Sequence, residues 1–178
     1  LTKKYAPILE AAGDAEKVAL QTFHPPWFVE YCFGLFGRDA AVEFLTGSMK
    51  VPPSFIRINT IKGIEEAVQQ KLTAEGVIIQ KEEQLQYTYR VMSLKNPLNA
   101  TKSYAEGLFY VQDKASCFAT QAAAPKPDTT VYDICAAPGA KTTYIAQLMN
   151  NQGNIISVDF SAKRMKTWVK ETKRMGTT

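Results

Sequence analysis

Histidine occurs once, at His24, and cysteine only three times, at Cys32, Cys117 and Cys135. That supply gives neither a metal-ligand spacing nor a disulfide framework, and it suits a reducing compartment, so a cytoplasmic location is expected. No apolar run approaches the roughly 20 residues that a membrane-spanning helix needs, and the first residues do not read as a signal peptide. No internal repeat or low-complexity tract is evident. Charge is far from extreme: 21 Lys and Arg against 17 Asp and Glu leave a net +4, which permits a nucleic-acid partner without demanding one. A lone His beside a Pro pair (His24-Pro25-Pro26) is expected to be structural. The chain opens on Leu1 instead of Met and is expected to be a piece of a longer protein.

Glycine is also scarce at the one turn that carries chemistry. Val131 to Cys135 is an apolar run rich in β-formers. It stops in Ala136-Ala137-Pro138-Gly139-Ala140, and helix-forming residues follow from Lys141 to Met149. This reads as strand, tight turn, helix. Small residues let a ligand approach the backbone, where the unpaired N–H groups of the helix start await it. Ile155 to Val158 makes a second strand, and Asp159 stands at its carboxyl end, 20 residues after Gly139. In doubly wound nucleotide-binding folds an acid at about that distance bonds ribose hydroxyls. A dinucleotide fingerprint needs three glycines and a P-loop needs two, but this turn has Gly139 alone. Ala140 takes the second P-loop position and Cys135 the first. A ligand with a ribose and little negative charge, such as S-adenosylmethionine, suits the turn.

Asp133-Ile134-Cys135-Ala136-Ala137-Pro138-Gly139-Ala140-Lys141-Thr142 resembles the first motif of the Sun/Fmu/Nop family of RNA cytosine-5 methyltransferases. Tyr110 to Ser116, His24 to Trp27 and Arg57-Ile58-Asn59-Thr60 resemble further signatures of that family, in its order. Ala140 departs from the usual pair of adjacent glycines. The resemblance implies methyl transfer from S-adenosylmethionine to carbon 5 of cytosine in rRNA or tRNA. It also implies an attacking cysteine in a Thr-Cys-Ser stretch and a second cysteine after Asp-x-Pro. Neither stretch occurs up to Thr178, so no catalytic residue is assigned and the chain by itself is expected to be inactive. Cys135, at the end of a buried strand, is expected to act as a small hydrophobe.

The expected cofactor set is Cys135, Ala136, Ala137, Pro138, Gly139, Ala140, Lys141, Asp159 and Arg164. Asp159 is expected on the ribose, with Ala136 to Lys141 along the methionine end. Lys141 reads equally as a partner of the methionine carboxylate or as an exposed first-turn lysine.

The expected fold class is α/β, an incomplete Rossmann-like methyltransferase domain with a doubly wound parallel sheet. Three regions are expected. Residues 1–50 form a helical segment, 51–105 a small α+β layer similar to an RNA-recognition motif in the family, and 106–178 the first part of the S-adenosylmethionine-binding domain. Expected helices cover 1–23, Trp27–Phe36 and Asp39–Met49, with Asp39 as an N-cap. Arg57 and Asn59 are candidate RNA contacts, and equally candidate ties between layers. Lys163, Arg164, Lys166, Lys170, Lys173 and Arg174, opposed only by Glu171, read first as a solvated helix face and second as an RNA contact. Two parallel strands cannot cover their own edges and faces, so self-association through an exposed sheet edge is expected. Two other functional classes stay open: a non-catalytic RNA-binding module or ribosome-assembly factor, and a P-loop nucleotide hydrolase.

Overall fold

Pro52 and Pro53 part the chain into two units, residues 1–52 and 53–178. The computed structural model describes residues 2–178. In the first unit, α1 (Thr2–Ala11), α2 (Asp14–Thr22), α3 (Pro26–Phe36) and α4 (Arg38–Ser48) follow one another. The helix expected over 1–23 is broken because Gly13 adopts an extended conformation and serves as the N-cap of α2; Leu1 lies outside the described residues. Pro26 opens α3, where its missing N–H costs nothing. Gly37, at φ +77°, turns the chain and stands as N-cap of α4, displacing the role expected of Asp39. Val18, Ala19, Val29, Cys32, Ala41 and Leu45 form the core of this unit.

The second unit begins with β1 (Phe55–Ile58), α5 (Glu65–Ala74), β2 (Val77–Lys81) and β3 (Thr88–Leu94). A 3-10 turn (Leu98–Ala100), α6 (Lys102–Ala105) and β4 (Phe109–Val111) come next. These strands form one antiparallel sheet in the order β2-β3-β1-β4. Ile56, Ile58, Val68, Leu72, Val77, Tyr89 and Phe109 fill its core. β4 falls within the region expected to open the cofactor-binding domain, yet it pairs with β1, setting Ile56 opposite Val111 and Ile58 opposite Phe109. A strand next to β1 satisfies the backbone groups of a central strand on its second edge, which a boundary at residue 105 would leave bare.

The chain continues through α7 (Lys114–Ala122), β5 (Thr129–Asp133), α8 (Ala140–Leu148), β6 (Gly153–Ser157) and α9 (Ala162–Met175). β5 and β6 pair in parallel, Thr129 with Gly153 through to Asp133 with Ser157, joined by α8 as a βαβ crossover. This parallel strand–helix–strand unit is the start of the Rossmann-like α/β arrangement expected. Residues 142–147 of α8 are buried on every side, as befits a helix lying between sheet, α7 and α9. The carboxyl end of α9 docks on the antiparallel sheet. Asn59 donates from Nδ2 to the carbonyls of Gly107 and Met175, each at 2.8 Å.

Candidate functional site

β5 ends at Asp133, buried to 4% exposure. A buried carboxylate needs donors, and it finds them locally. The Thr142 hydroxyl donates to Oδ2 at 2.7 Å and the Cys135 amide to Oδ1 at 3.3 Å, while Lys141 Nζ stands 3.7 Å away. Thr142 in turn accepts the Trp168 indole N–H at 3.0 Å. One buried acid thereby joins strand end, loop, α8 and α9.

A second acid mirrors it at the end of β6. The side chain of Asp159 is 1% exposed. Its Oδ2 accepts the Ala137 amide at 3.1 Å and its Oδ1 accepts the Ser161 amide at 3.1 Å. Arg164 Nη1 lies 3.2 Å from Oδ1 and 3.1 Å from Oδ2, and Arg164 Nη2 donates to the Ala137 carbonyl. A carboxylate offers about four acceptor positions, and these contacts occupy them. Asp159 thus anchors the loop, and Arg164 clamps the same residue from its other side. Ser161 caps α9, its Oγ accepting the Arg164 amide.

Between these anchors the loop 134–139 crosses the carboxyl ends of the parallel strands. Ala136 N–H donates to the Val158 carbonyl at 3.0 Å and Val158 N–H to the Asp133 carbonyl at 2.9 Å. The 137–138 peptide is cis. Gly139 is the N-cap of α8 at φ +117°, a backbone conformation that side chains resist. Lys141 reaches back to donate to the Cys135 carbonyl at 2.6 Å, so it braces the loop and is neither a purely exposed lysine nor an unengaged cation.

All nine residues expected at the cofactor site therefore gather in one place. Ala136, Ala137 and Gly139 are buried, Ala140 and Lys141 half-buried, Pro138 exposed. Cys135 is exposed as well, because β5 stops two residues short of it; it does not end a buried strand. Ile134, Val158 and Phe160, 78%, 51% and 94% exposed, form an apolar rim on the loop and the β6 end. Asp133 and Thr142, which only bound the motif in the sequence, and Trp168 and Phe160 join the expected set. An acid at the end of an apolar strand with a Thr in the first turn of the next helix was the available signal for the first pair.

Arg57 and Asn59 lie elsewhere. Both are 0% exposed, which corrects the RNA-contact expectation in favour of the tie. β1 is central, so Ile56 and Ile58 fill one face and Arg57 is driven into the other, under α8. Its Nε donates to Gln112 Oε1 at 2.9 Å, Nη2 to Thr143 Oγ1 at 2.8 Å, and Nη1 to Gln147 Oε1. No carboxylate is among its described partners, and burial pushes the guanidinium down to about 10. Gln112 is occupied by this guanidinium, and Asp113 caps α7 by accepting the amides of Ala115 and Ser116.

Among the described residues no group of three or more His, Cys, Asp and Glu is placed to hold a metal ion.

Residues 120–178 match the family model described as 16S rRNA methyltransferase RsmB/F. Along its whole length the chain is 29% identical to the probable ribosomal RNA small subunit methyltransferase B of Bacillus subtilis, of which it spans 40%. Over 81% of the chain it is 34% identical to the human 28S rRNA (cytosine(4447)-C(5))-methyltransferase, of which it spans 18%. A crystal structure of a methyltransferase homologue from Pyrococcus horikoshii superposes with a TM-score of 0.83 at 26% identity, covering 94% of this chain and 54% of that one. The chain thus spans about two fifths or less of the curated relatives it matches.

Proposed function

The chain belongs to the Sun/Fmu/Nop family, and from that premise we propose that residues 106–178 contribute the S-adenosylmethionine site of an RNA methyltransferase acting on carbon 5 of cytosine in rRNA or tRNA. The observation that carries this reading is the loop 134–139, pinned at both strand ends by a buried carboxylate and open to solvent at Cys135 and Pro138.

The residues present fit the cofactor. Ile134, Val158 and Phe160 offer apolar surface for a purine, and Ala136 to Lys141 offer backbone groups and a helix start for the amino-acid end. A single glycine provides too few close backbone donors for a polyphosphate. When bound, S-adenosylmethionine supplies an electrophilic methyl group on a sulfonium. Asp159 holds Ala137 and, when Arg164 yields, has acceptor positions for the ribose. Asp133 and Thr142 fix the start of α8. None of the three thiols is assigned as the attacking nucleophile: Cys32 and Cys117 are buried, burial pushes the Cys117 thiol up, and Cys135 belongs to the loop.

Titration of the 178-residue chain with S-adenosylhomocysteine, ATP plus Mg²⁺ and NAD tests the reading. Saturable heat with the first ligand alone is expected; tight ATP binding in its place would sink it. The inference extends to association of the chain with itself. Tyr132 and Ile156, paired across β5 and β6, are both exposed beside the sheet edges that the described residues leave unpaired, and sedimentation should show concentration-dependent dimers. A strictly monomeric chain would remove that part. We also infer a cytoplasmic location, which fluorescence microscopy of the tagged protein tests; no described helix is long and apolar enough to cross a membrane.

A further inference from the structure

α9 carries its charge in two ways. Arg164 and Arg174 turn inward: the first clamps Ala137 and Asp159, and the second pairs with Glu171 and donates to the carbonyls of Tyr104 and Phe109. Lys163, Lys166, Lys170 and Lys173 do the opposite. Spaced three, four and three apart, they share one stripe of the helix, all exposed. Among the described residues none of the four makes an ion pair. The stripe contains no acid, since Glu171, the only one in α9, is taken by Arg174.

A helix face whose sole task is to meet water is better served by mixed signs. Lysines three and four apart repel, whereas Glu–Lys pairs at those spacings attract. Two of these lysines also stand near the amino end of α9, where the helix dipole disfavours cations, and no acidic residue occupies its first turn. The local sequence forgoes helix stability to keep four cations uncompensated on one line. That is the arrangement a polyanion rewards by releasing counterions. The line starts at Lys163, four residues past Asp159 and so at the end of β6 where the candidate site opens, and it runs about 15 Å along the helix at 1.5 Å per residue.

We propose that Lys163, Lys166, Lys170 and Lys173 form a track for the sugar-phosphate backbone of the RNA whose base enters the site at the carboxyl ends of β5 and β6. This rests on the reading of the chain as part of an RNA methyltransferase. The contacts are to phosphates, so the track sets register and affinity and carries no sequence preference.

The test compares three forms of the full 178-residue chain: wild type, the quadruple Lys→Gln variant at 163, 166, 170 and 173, and a charge-matched control with Lys50, Lys95, Lys102 and Lys126 changed to Gln. Fluorescence anisotropy with a labelled RNA stem-loop is recorded across a salt series. Each lysine–phosphate pairing that is abolished should take about 0.7 to 0.9 off the slope of log affinity against log salt, so the stripe variant should be shallower by about 3 and at least tenfold weaker at low salt. The control should retain most of both. Equal losses in the stripe variant and the control would overturn the track, as would an unchanged slope in the stripe variant. Stronger binding of wild type to anionic phospholipid vesicles than to RNA would also overturn it. S-adenosylhomocysteine titrated into the stripe variant separates this failure from failure of the site: cofactor affinity should match wild type whatever the RNA result.

Discussion

The guanidinium of Arg57 lies 4.6 Å from the ring centre of Tyr144, fully buried and held only by neutral acceptors. Gln112, Gln147 and Thr143 receive its three arms, and two of those belong to α8, the helix that begins at the candidate site. Arg57 thereby fastens β1 of the antiparallel sheet to α8, beside the ties that Asn59 and Arg174 make to α9.

Arg57→Lys keeps the charge but not the fork, since one ammonium cannot span three acceptors on two elements. Losing two charge-assisted bonds should cost about 3–6 kcal/mol. Urea unfolding in a Trp27→Phe background, where Trp168 is the remaining tryptophan, reports on residues 53–178. A Lys variant as stable as its parent would mean that the fork is not what joins the sheets.

Buried phenols set an alkaline limit. Burial pushes the phenols of Tyr110 and Tyr144 up to about 12, and that of Tyr89 higher still. Unfolded tyrosines ionise near 10, so between pH 10 and 12 the unfolded chain binds fewer protons and stability falls. Arg57 has the opposite sign, because its folded form releases a proton at about 10 while the unfolded form holds it. Three tyrosines outweigh one arginine. The urea midpoint should drop through this window, and three of the eight tyrosines should develop phenolate absorbance only as the chain unfolds. Arg57→Met should make the drop steeper.

Much of this arrangement is legible in the chain, at the level of elements. The βαβ unit around Gly139 reads from apolar runs and turn residues alone, and Ser161 announces the cap of α9. What stays hidden is pairing. Nothing local in Phe109-Tyr110-Val111 says that it joins β1 and not β5, because a three-residue strand carries no register information beyond alternation. Burial of Arg57 is equally invisible. An arginine in an alternating strand reads as solvent-facing until a second layer covers that face. Asp159 could be placed at the strand end from spacing, but not the amides of Ala137 and Ser161 that saturate it, since those depend on the path of a loop.

At Gly107 the loop before β4 lies directly against the backbone at the end of α9. At φ +75°, a Cβ there would stand 2.0 Å from the Arg174 carbonyl oxygen. Backbone cannot step aside as a flexible side chain does, so Gly107→Ala should combine conformational strain with displacement of the end of α9, about 3–5 kcal/mol in all. At Gly139 the nearest atom would be 3.5 Å away, so Gly139→Ala should meet the conformational cost alone, about 1–3 kcal/mol. Reversal of that order in urea unfolding would show that α9 does not dock on Gly107.

The last prediction concerns how Asp159 divides its acceptors between the loop and a ligand. Asp159→Ala removes the partners of two amides and of Arg164 together, and it removes any bond to ribose. At about 1.5 kcal/mol or more for each of two charge-assisted bonds, S-adenosylhomocysteine affinity should fall about a hundredfold. Arg164→Gln withdraws the guanidinium and vacates positions on both carboxylate oxygens while leaving the Ala137 and Ser161 amides in place. If ribose competes with Arg164 for those positions, this variant should bind as tightly as wild type or more so, although it is less stable. Should calorimetry instead show Arg164→Gln losing as much affinity as Asp159→Ala, the clamp on Ala137 would govern binding and the carboxylate would have no direct part in it.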